Sequence, residues 1–351
     1  MLYSLMEKEN QFQKQRAKEF WLKEGDINSR FFHNAIKNRW RKNKLFGLKR
    51  PDVSWCTDRI QMGEMVRNYF EHLFVQGEST RVADCFRDFG QITAEKMNRL
   101  LLRDISPEEV RLAIFDMHSE NAPGSDGMNR AFFQKYWVIV GLEISRLCSN
   151  IFTTGIILRE LNGTNLVLIP KKDKPEDMGD WRPIALCNVV YKIFSKVLAN
   201  RLKVLLRNLI GENHSAFVPG RSIVDNVVVA FETQHFLKRK CNGKEGYVAL
   251  KLDMSKTYDR VGWDFLRVIM IRMGFDMRWV NMIMECVATV NYYVQFERDF
   301  LGSIIPGRGL RQGDPLSPYL FIMVAEGLSA LLKKAEARGD IHGVEVCRGG
   351  A

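Results

Sequence analysis

Three things are missing from these 351 residues. No stretch approaches the roughly 18 uninterrupted apolar residues of a membrane-crossing helix, and the opening MLYSLMEKENQFQKQRAKEF lacks the apolar run of a secretory leader. The seven cysteines (Cys56, Cys85, Cys148, Cys187, Cys241, Cys286, Cys347) are odd in number, scattered, and free of Cys-x-x-Cys spacing. That pattern argues against a disulfide framework and against a zinc site, and fits a reducing compartment. No Asp-Asp pair occurs anywhere. Together these absences lead us to expect a soluble intracellular protein, nuclear or cytoplasmic, with no membrane partner.

What is abundant is positive charge. Lys and Arg number 52 against 41 Asp and Glu, a net of +11. Residues 1–50 hold thirteen Lys/Arg and five Asp/Glu, and so carry +8 of that excess. Such a balance suits a polyanion, because each phosphate neutralised releases counterions. Aromatics (Phe12, Phe20, Trp21, Phe31, Phe32, Trp40) interleave with the basic residues of this region. They read either as bases' stacking partners or as the apolar stripe of amphipathic helices. Lys37, Arg39 and Arg41 are the candidate nucleic-acid contacts here.

Residues from Pro51 to Asp104 are polar and weakly patterned. Beyond them the signals sharpen. Ser106-Pro-Glu-Glu109 is a capped helix start with proline at the first position, and Asn121–Gly127 is a loop of turn formers. Asn165–Ile169 reads as a strand leading into the basic Pro170-Lys171-Lys172. Apolar residues from Val190 to Leu209 recur at helical spacing, closed by Gly211. Ser222-x-x-Asp225 has the form of a second capping box. In Tyr247–Asp253 the alternation places Val248, Leu250 and Leu252 on one face of a strand and Lys251 and Asp253 on the other. Helices are expected over Trp263–Met273 and Asp276–Thr289, a strand over Asn291–Glu297, and a long helix from Leu316. Helices thus interleave with sparse strands, which makes the fold class α+β.

Several blocks are specific. Lys251-Leu-Asp-Met-Ser-Lys-Thr-Tyr-Asp-Arg-Val261 and Gly309-Leu-Arg-Gln-Gly-Asp-Pro-Leu-Ser-Pro-Tyr-Leu-Phe321 resemble motifs A and B of the reverse transcriptases of LINE-type (non-LTR) retrotransposons, of the kind common in plants. Leu168-Ile-Pro-Lys-Lys172 with Trp181-Arg-Pro-Ile-Ala-Leu-Cys187 is similar to the fingers segments of that family. Asn200-Arg-Leu-Lys203 and Ser215-Ala-Phe-Val-Pro-Gly-Arg221 fill the interval, and Trp21–Asp26 with Phe31–His33 resembles the region upstream of the fingers. The resemblance covers nearly the whole chain.

It implies an RNA-directed DNA polymerase built as right-hand fingers and a partial palm, helix-rich with a small antiparallel sheet. Residues 1–104 would form a basic helical N-terminal extension, 105–245 the fingers and 246–351 the palm portion. The partners would be an RNA template, a DNA primer and a dNTP, and the cofactor two Mg²⁺ ions that stabilise attacking and leaving oxygens. Asp253 would bridge the metals, with the Met254 carbonyl as a further ligand. Lys171, Lys172 and Arg182 would clamp the triphosphate, Arg182 by its bidentate fork. Tyr258 stands at the family's steric gate against a ribose 2′-hydroxyl, Gln312 and Gly313 would lie against the nascent base pair, and Arg221 and Arg311 would contact nucleic acid. Asp259 is expected to cap the next helix or pair with an arginine.

The family's motif C, an aromatic-Ala-Asp-Asp hairpin, has no counterpart in these residues, nor has its thumb. Two Mg²⁺ ions at about 4 Å repel strongly even at an effective dielectric of about 20, and one carboxylate cannot offset that. The chain by itself is therefore expected to be inactive as a polymerase. Thr257 stands where the family has Ala. The alternative readings are a non-catalytic nucleic-acid-binding fragment and a retroelement relic.

Overall fold

The computed structural model describes residues 30–77, 93, 95–119, 121–240, 246–297 and 299–344. Helix α1 (Arg30–Asn43) leads into a short hairpin, β1 (Leu48–Lys49) and β2 (Trp55–Cys56). Five helices follow: α2 (Arg59–Phe74), α3 (Glu95–Leu102), α4 (Pro107–Phe115), α5 (Arg130–Lys135) and α6 (Trp137–Thr154). A single turn, α7 (Arg159–Asn162), precedes β3 (Gly163–Pro170) and β4 (Trp181–Cys187). Then come α8 (Val189–Leu209), α9 (Ile223–Arg239), α10 (Trp263–Met273) and α11 (Met277–Ala288). Strands β5 (Asn291–Phe296) and β6 (Asp299–Ile304) form a hairpin, and α12 (Ser317–Ala337) ends the described elements.

The larger sheet has the order β4-β3-β5-β6. Its outer pairs are antiparallel, but β3 and β5 run parallel, with Gly163 opposite Asn291 and Val167 opposite Gln295. The expected all-antiparallel sheet is thus corrected to a mixed one. A parallel pair requires a crossover, and the helices between β4 and β5 supply it. Alternation drives each strand: Leu166 and Leu168, then Trp181, Ala185 and Cys187, then Tyr292, Val294 and Phe296 are all buried on the core face.

Helix α8 runs through the centre and is apolar on most of its circumference, as an interior helix must be. Its buried Arg201 ties two segments together. The guanidinium donates to both carboxylate oxygens of Glu109 and to the carbonyls of Leu101, Arg103 and Asp104. Glu109 also closes the capping box with Ser106 at the start of α4. Burial opposes its ionisation, yet hydrogen bonds and charge from Arg201 hold its carboxyl below the usual range.

Three expectations need correction. The stretch taken as weakly patterned contains α2, whose Met62, Val66, Phe70 and Phe74 repeat at four-residue spacing and are buried. Ser222 caps α9 through the Val224 amide without a capping box. Tyr247–Asp253 is not a strand: Val248, Leu250 and Leu252 are 87%, 77% and 63% exposed. Alternation selects a buried face only when a neighbouring strand takes up the backbone hydrogen bonds, and no described residue does so here. The nearby α9 buries none of its side chains, leaving Val224, Val227, Val228 and Phe231 in solvent as well.

Candidate active site

One cleft of about 620 Å³ gathers residues from three separate stretches. The end of β3 and the start of β4 bring Lys171 and Arg182; the segment after the exposed Tyr247–Leu252 brings Asp253, Met254 and Tyr258; the loop before α12 brings Gln312 and Gly313.

The three walls are stitched by backbone hydrogen bonds. Leu310 N–H donates to the Tyr258 carbonyl at 2.7 Å and Gly309 N–H to Val261 at 2.8 Å. Ala185 N–H donates to the Gln312 carbonyl at 2.8 Å, which fixes that loop against β4. Glycine is required at two of these positions. Gly309 has φ +100°, and a Cβ there would sit 2.9 Å from the Asp259 carbonyl oxygen. Gly313 has φ +111°, with a Cβ 3.1 Å from the Ala185 oxygen. Both the left-handed backbone and the close approach exclude larger residues.

Lys171, on the cleft wall, donates from Nζ to the Gly179 carbonyl at 2.8 Å, whereas Lys172 is not among the lining residues and pairs with Asp180 at 2.8 Å. The hydrogen bond and charge of Asp180 raise the Lys172 pKa. Arg182 is exposed on β4. Opposite them Asp253 is exposed, and the Met254 carbonyl accepts a hydrogen bond from the Thr257 hydroxyl. Tyr258 is half-buried with its ring stacked on Phe321, 4.7 Å between centroids.

Asp259 does neither of the things expected of it. Gly262 occupies the cap position of α10, and Arg260 reaches Ser255 Oγ at 3.5 Å instead. The Asp259 carboxylate is buried, accepts from Gln312 Nε2 at 3.1 Å through Oδ1, and has no hydrogen-bond partner at Oδ2. Burial pushes its pKa up to about 6, against the pull of Lys256 and Gln312. Lys256, whose backbone is left-handed at φ +53°, lies 4.4 Å over the Tyr69 ring and donates to the Met178 carbonyl at 3.3 Å. Burial lowers its pKa to about 8. Sequence reasoning missed Lys256, Tyr69 and the Asp259–Gln312 link; the left-over acid in Tyr258-Asp259-Arg260 was the one available signal.

Arg311 is corrected. It is 3% exposed, and its guanidinium donates to the Asn162 side chain, the Tyr191 hydroxyl and the Cys286 carbonyl, beside Asp314 at 3.2 Å. It borders the cleft, but these internal partners take up its donors, so it acts as a brace within the fold. Arg221 is likewise committed, donating to the carbonyls of Ile210, Gly211 and His214. Lys37, Arg39 and Arg41 are exposed on α1, away from the cleft lining.

Among the described residues no group of three or more His, Cys, Asp or Glu side chains gathers for a metal. Mg²⁺ commonly binds through one or two carboxylates plus substrate phosphates. The exposed Asp253 carboxylate and the Met254 carbonyl, both at the cleft, are oxygen donors of the kind such an ion takes.

Comparison with known proteins identifies the family. The family described as "Reverse transcriptase (RNA-dependent DNA polymerase)" matches residues 169–347. The chain is 28% identical over 310 residues to the "Transposon TX1 uncharacterized 149 kDa protein" of Xenopus laevis, covering 88% of this chain and 24% of that one. It is 25% identical over 248 residues to the "Retrovirus-related Pol polyprotein from type-1 retrotransposable element R2" of Popillia japonica, covering 69% and 33%. It is 24% identical over 299 residues to the "Probable RNA-directed DNA polymerase from transposon BS" of Drosophila melanogaster, covering 80% and 32%. The chain therefore spans about a quarter to a third of these relatives' lengths. No helix among the described residues is long and apolar enough to cross a membrane.

Proposed function

Because the chain belongs to the reverse transcriptase (RNA-dependent DNA polymerase) family, we propose that its cleft receives a deoxynucleoside triphosphate at the end of a DNA primer paired with RNA template. The source would be a LINE-type element of the kind found in plants, on the wording of the Lys251–Val261 and Gly309–Phe321 blocks. The observation that carries the proposal is the convergence of Lys171, Arg182, Asp253, Gln312 and Gly313 on one cleft.

Each residue then has a task. The Arg182 fork and the Lys171 ammonium offset triphosphate charge in a partly enclosed cleft. Gly313 lets backbone approach the base pair, and Asp259 holds the Gln312 amide in one orientation beside it. The Tyr258 ring, backed by Phe321, fills the space a 2′-hydroxyl would need. Mg²⁺ bound with the triphosphate would be held by Asp253 and the Met254 carbonyl, and would supply charge neutralisation at the reacting oxygens.

A second reading, nucleic-acid binding without catalysis, is favoured by the single exposed acid at the cleft and the lack of a clustered metal site among the described residues. Adding the templated dNTP separates the two, because only the first reading expects it to tighten the primer–template complex. The 351-residue chain alone should bind labelled primer–template, with affinity falling steeply as salt rises, and should not extend it. Salt-independent binding would count against both readings, and robust extension would refute the argument that these residues hold an incomplete metal site.

A further inference from the structure

The turn Tyr258–Arg260 divides two cavities. Tyr258 and Asp259 line the cleft, whereas Arg260 lines a second, open pocket of about 790 Å³ on the other side. The wall between them is thin. Lys171 and Lys256 reach from the cleft to the carbonyls of Gly179 and Met178, and those two residues line the second pocket.

This pocket is rich in donors. Arg260 is exposed, and among the described residues its guanidinium donates to Ser255 Oγ at 3.5 Å. Arg308 is anchored by Nε to the Leu73 carbonyl at 2.8 Å, and no acceptor among the described residues meets its terminal nitrogens. Asn68 presents an exposed amide. The Tyr69 hydroxyl, kept protonated by burial, has no hydrogen-bond partner among the described residues. The one acid lining it, Asp177, caps the turn at Gly179 with its carboxylate.

We propose that this basic pocket is a second nucleic-acid subsite, which takes the phosphodiester backbone of unpaired template RNA across the turn from the nucleotide cleft. The donors come from α2, the turn and the loop before α12, and they spread along an open surface instead of converging on one point. That distribution suits an extended polyanion better than a free phosphate or nucleotide. The inference rests on the polymerase reading of the neighbouring cleft.

The test compares binding of the 351-residue chain to two labelled primer–templates, one blunt and one with a 5′ RNA overhang of about six nucleotides. The overhang should tighten binding about tenfold at low salt. Arg260→Glu and, separately, Asn68→Asp should remove most of that advantage and leave blunt-duplex affinity unchanged. Arg260→Gln should lower the salt slope for the overhang by about 0.7 per lost phosphate contact. An overhang that confers no advantage, or variants that weaken both ligands alike, would overturn the subsite and leave the cleft reading standing. Failure of the unaltered chain to bind either ligand would sink both.

Discussion

Replacing Asp259 by Asn should change how stability depends on pH, and the structure sets the size of the change. The carboxyl's pKa is raised by burial from 3.8 to about 6. A folded-state value above the unfolded one means that the native chain binds the extra proton between those two pH values. Asp259 therefore costs nothing below about pH 4; its cost grows as pH rises from about 4 to 6, where the unfolded chain ionises and the buried carboxyl does not, and levels off above that. Two pKa units at about 1.4 kcal/mol each give a penalty of roughly 3 kcal/mol, nearly complete by pH 7. Asn keeps the acceptor for Gln312 but carries no charge, so it feels none of this. Its new amide N–H group adds a cost of about 1–3 kcal/mol if unpaired, but that cost does not vary with pH. Urea unfolding of both proteins followed by tryptophan fluorescence, from pH 4.5 to 7.5 at constant ionic strength, isolates the term as a difference. The wild type should lose about 2 kcal/mol relative to Asp259→Asn across that range. Parallel pH profiles would show that Asp259 ionises normally and that its burial is not as described.

Other expected outcomes follow from the same structure. Arg201→Met should lower unfolding stability by about 3–5 kcal/mol in a urea titration, since it strands Glu109 and three backbone carbonyls; a loss under 1 kcal/mol would deny the brace. Gly313→Ala should cost about 1–3 kcal/mol through its positive φ and weaken dNTP binding measured by competition. Tyr258→Ala should let ribonucleotides compete with dNTPs for the primer–template complex, and unchanged discrimination would remove the ring from that role. Reversing Lys171, Lys172 and Arg182 to Glu should reduce primer–template affinity markedly at low salt, and survival of binding would place the polyanion elsewhere.

Local signals in the sequence transferred well to the structure. Ser106, Pro107 and Glu109 form their capping box as read, and the strands expected over Asn165–Ile169 and Asn291–Glu297 are found as Gly163–Pro170 and Asn291–Phe296. The gathering of Asp253, Arg182 and Gln312 was legible only through the wording of motifs, because no periodicity connects segments so far apart. What escaped was set by distant partners. Arg311 in Gly-Leu-Arg-Gln-Gly looks like a phosphate contact, and only Asn162, Tyr191 and Asp314 closing around it reveal an internal brace. Lys256 looks like a surface lysine until Tyr69, on a helix nearly two hundred residues earlier, covers it. Tyr247–Asp253 failed in the other direction: its alternation was real, but alternation cannot supply the neighbouring strand.

The parallel seam between β3 and β5 also has a consequence for how the chain is made. Gly163 and its partner Asn291 lie 128 positions apart, whereas β4 follows β3 within a short turn and can zip onto it early. At roughly 5–20 residues per second, a ribosome takes on the order of ten seconds to reach the second half of the seam. Through that interval the inner edge of β3 faces solvent with its amides and carbonyls unpaired, an open template for any extended segment nearby. Sheet completion must also wait for closure of a very long loop, the slow kind of contact. The newborn polypeptide is thus most vulnerable to mispairing in mid-synthesis, before β5 leaves the exit tunnel, and a holdase that binds extended apolar strands should raise its soluble yield more than a factor that acts only after release.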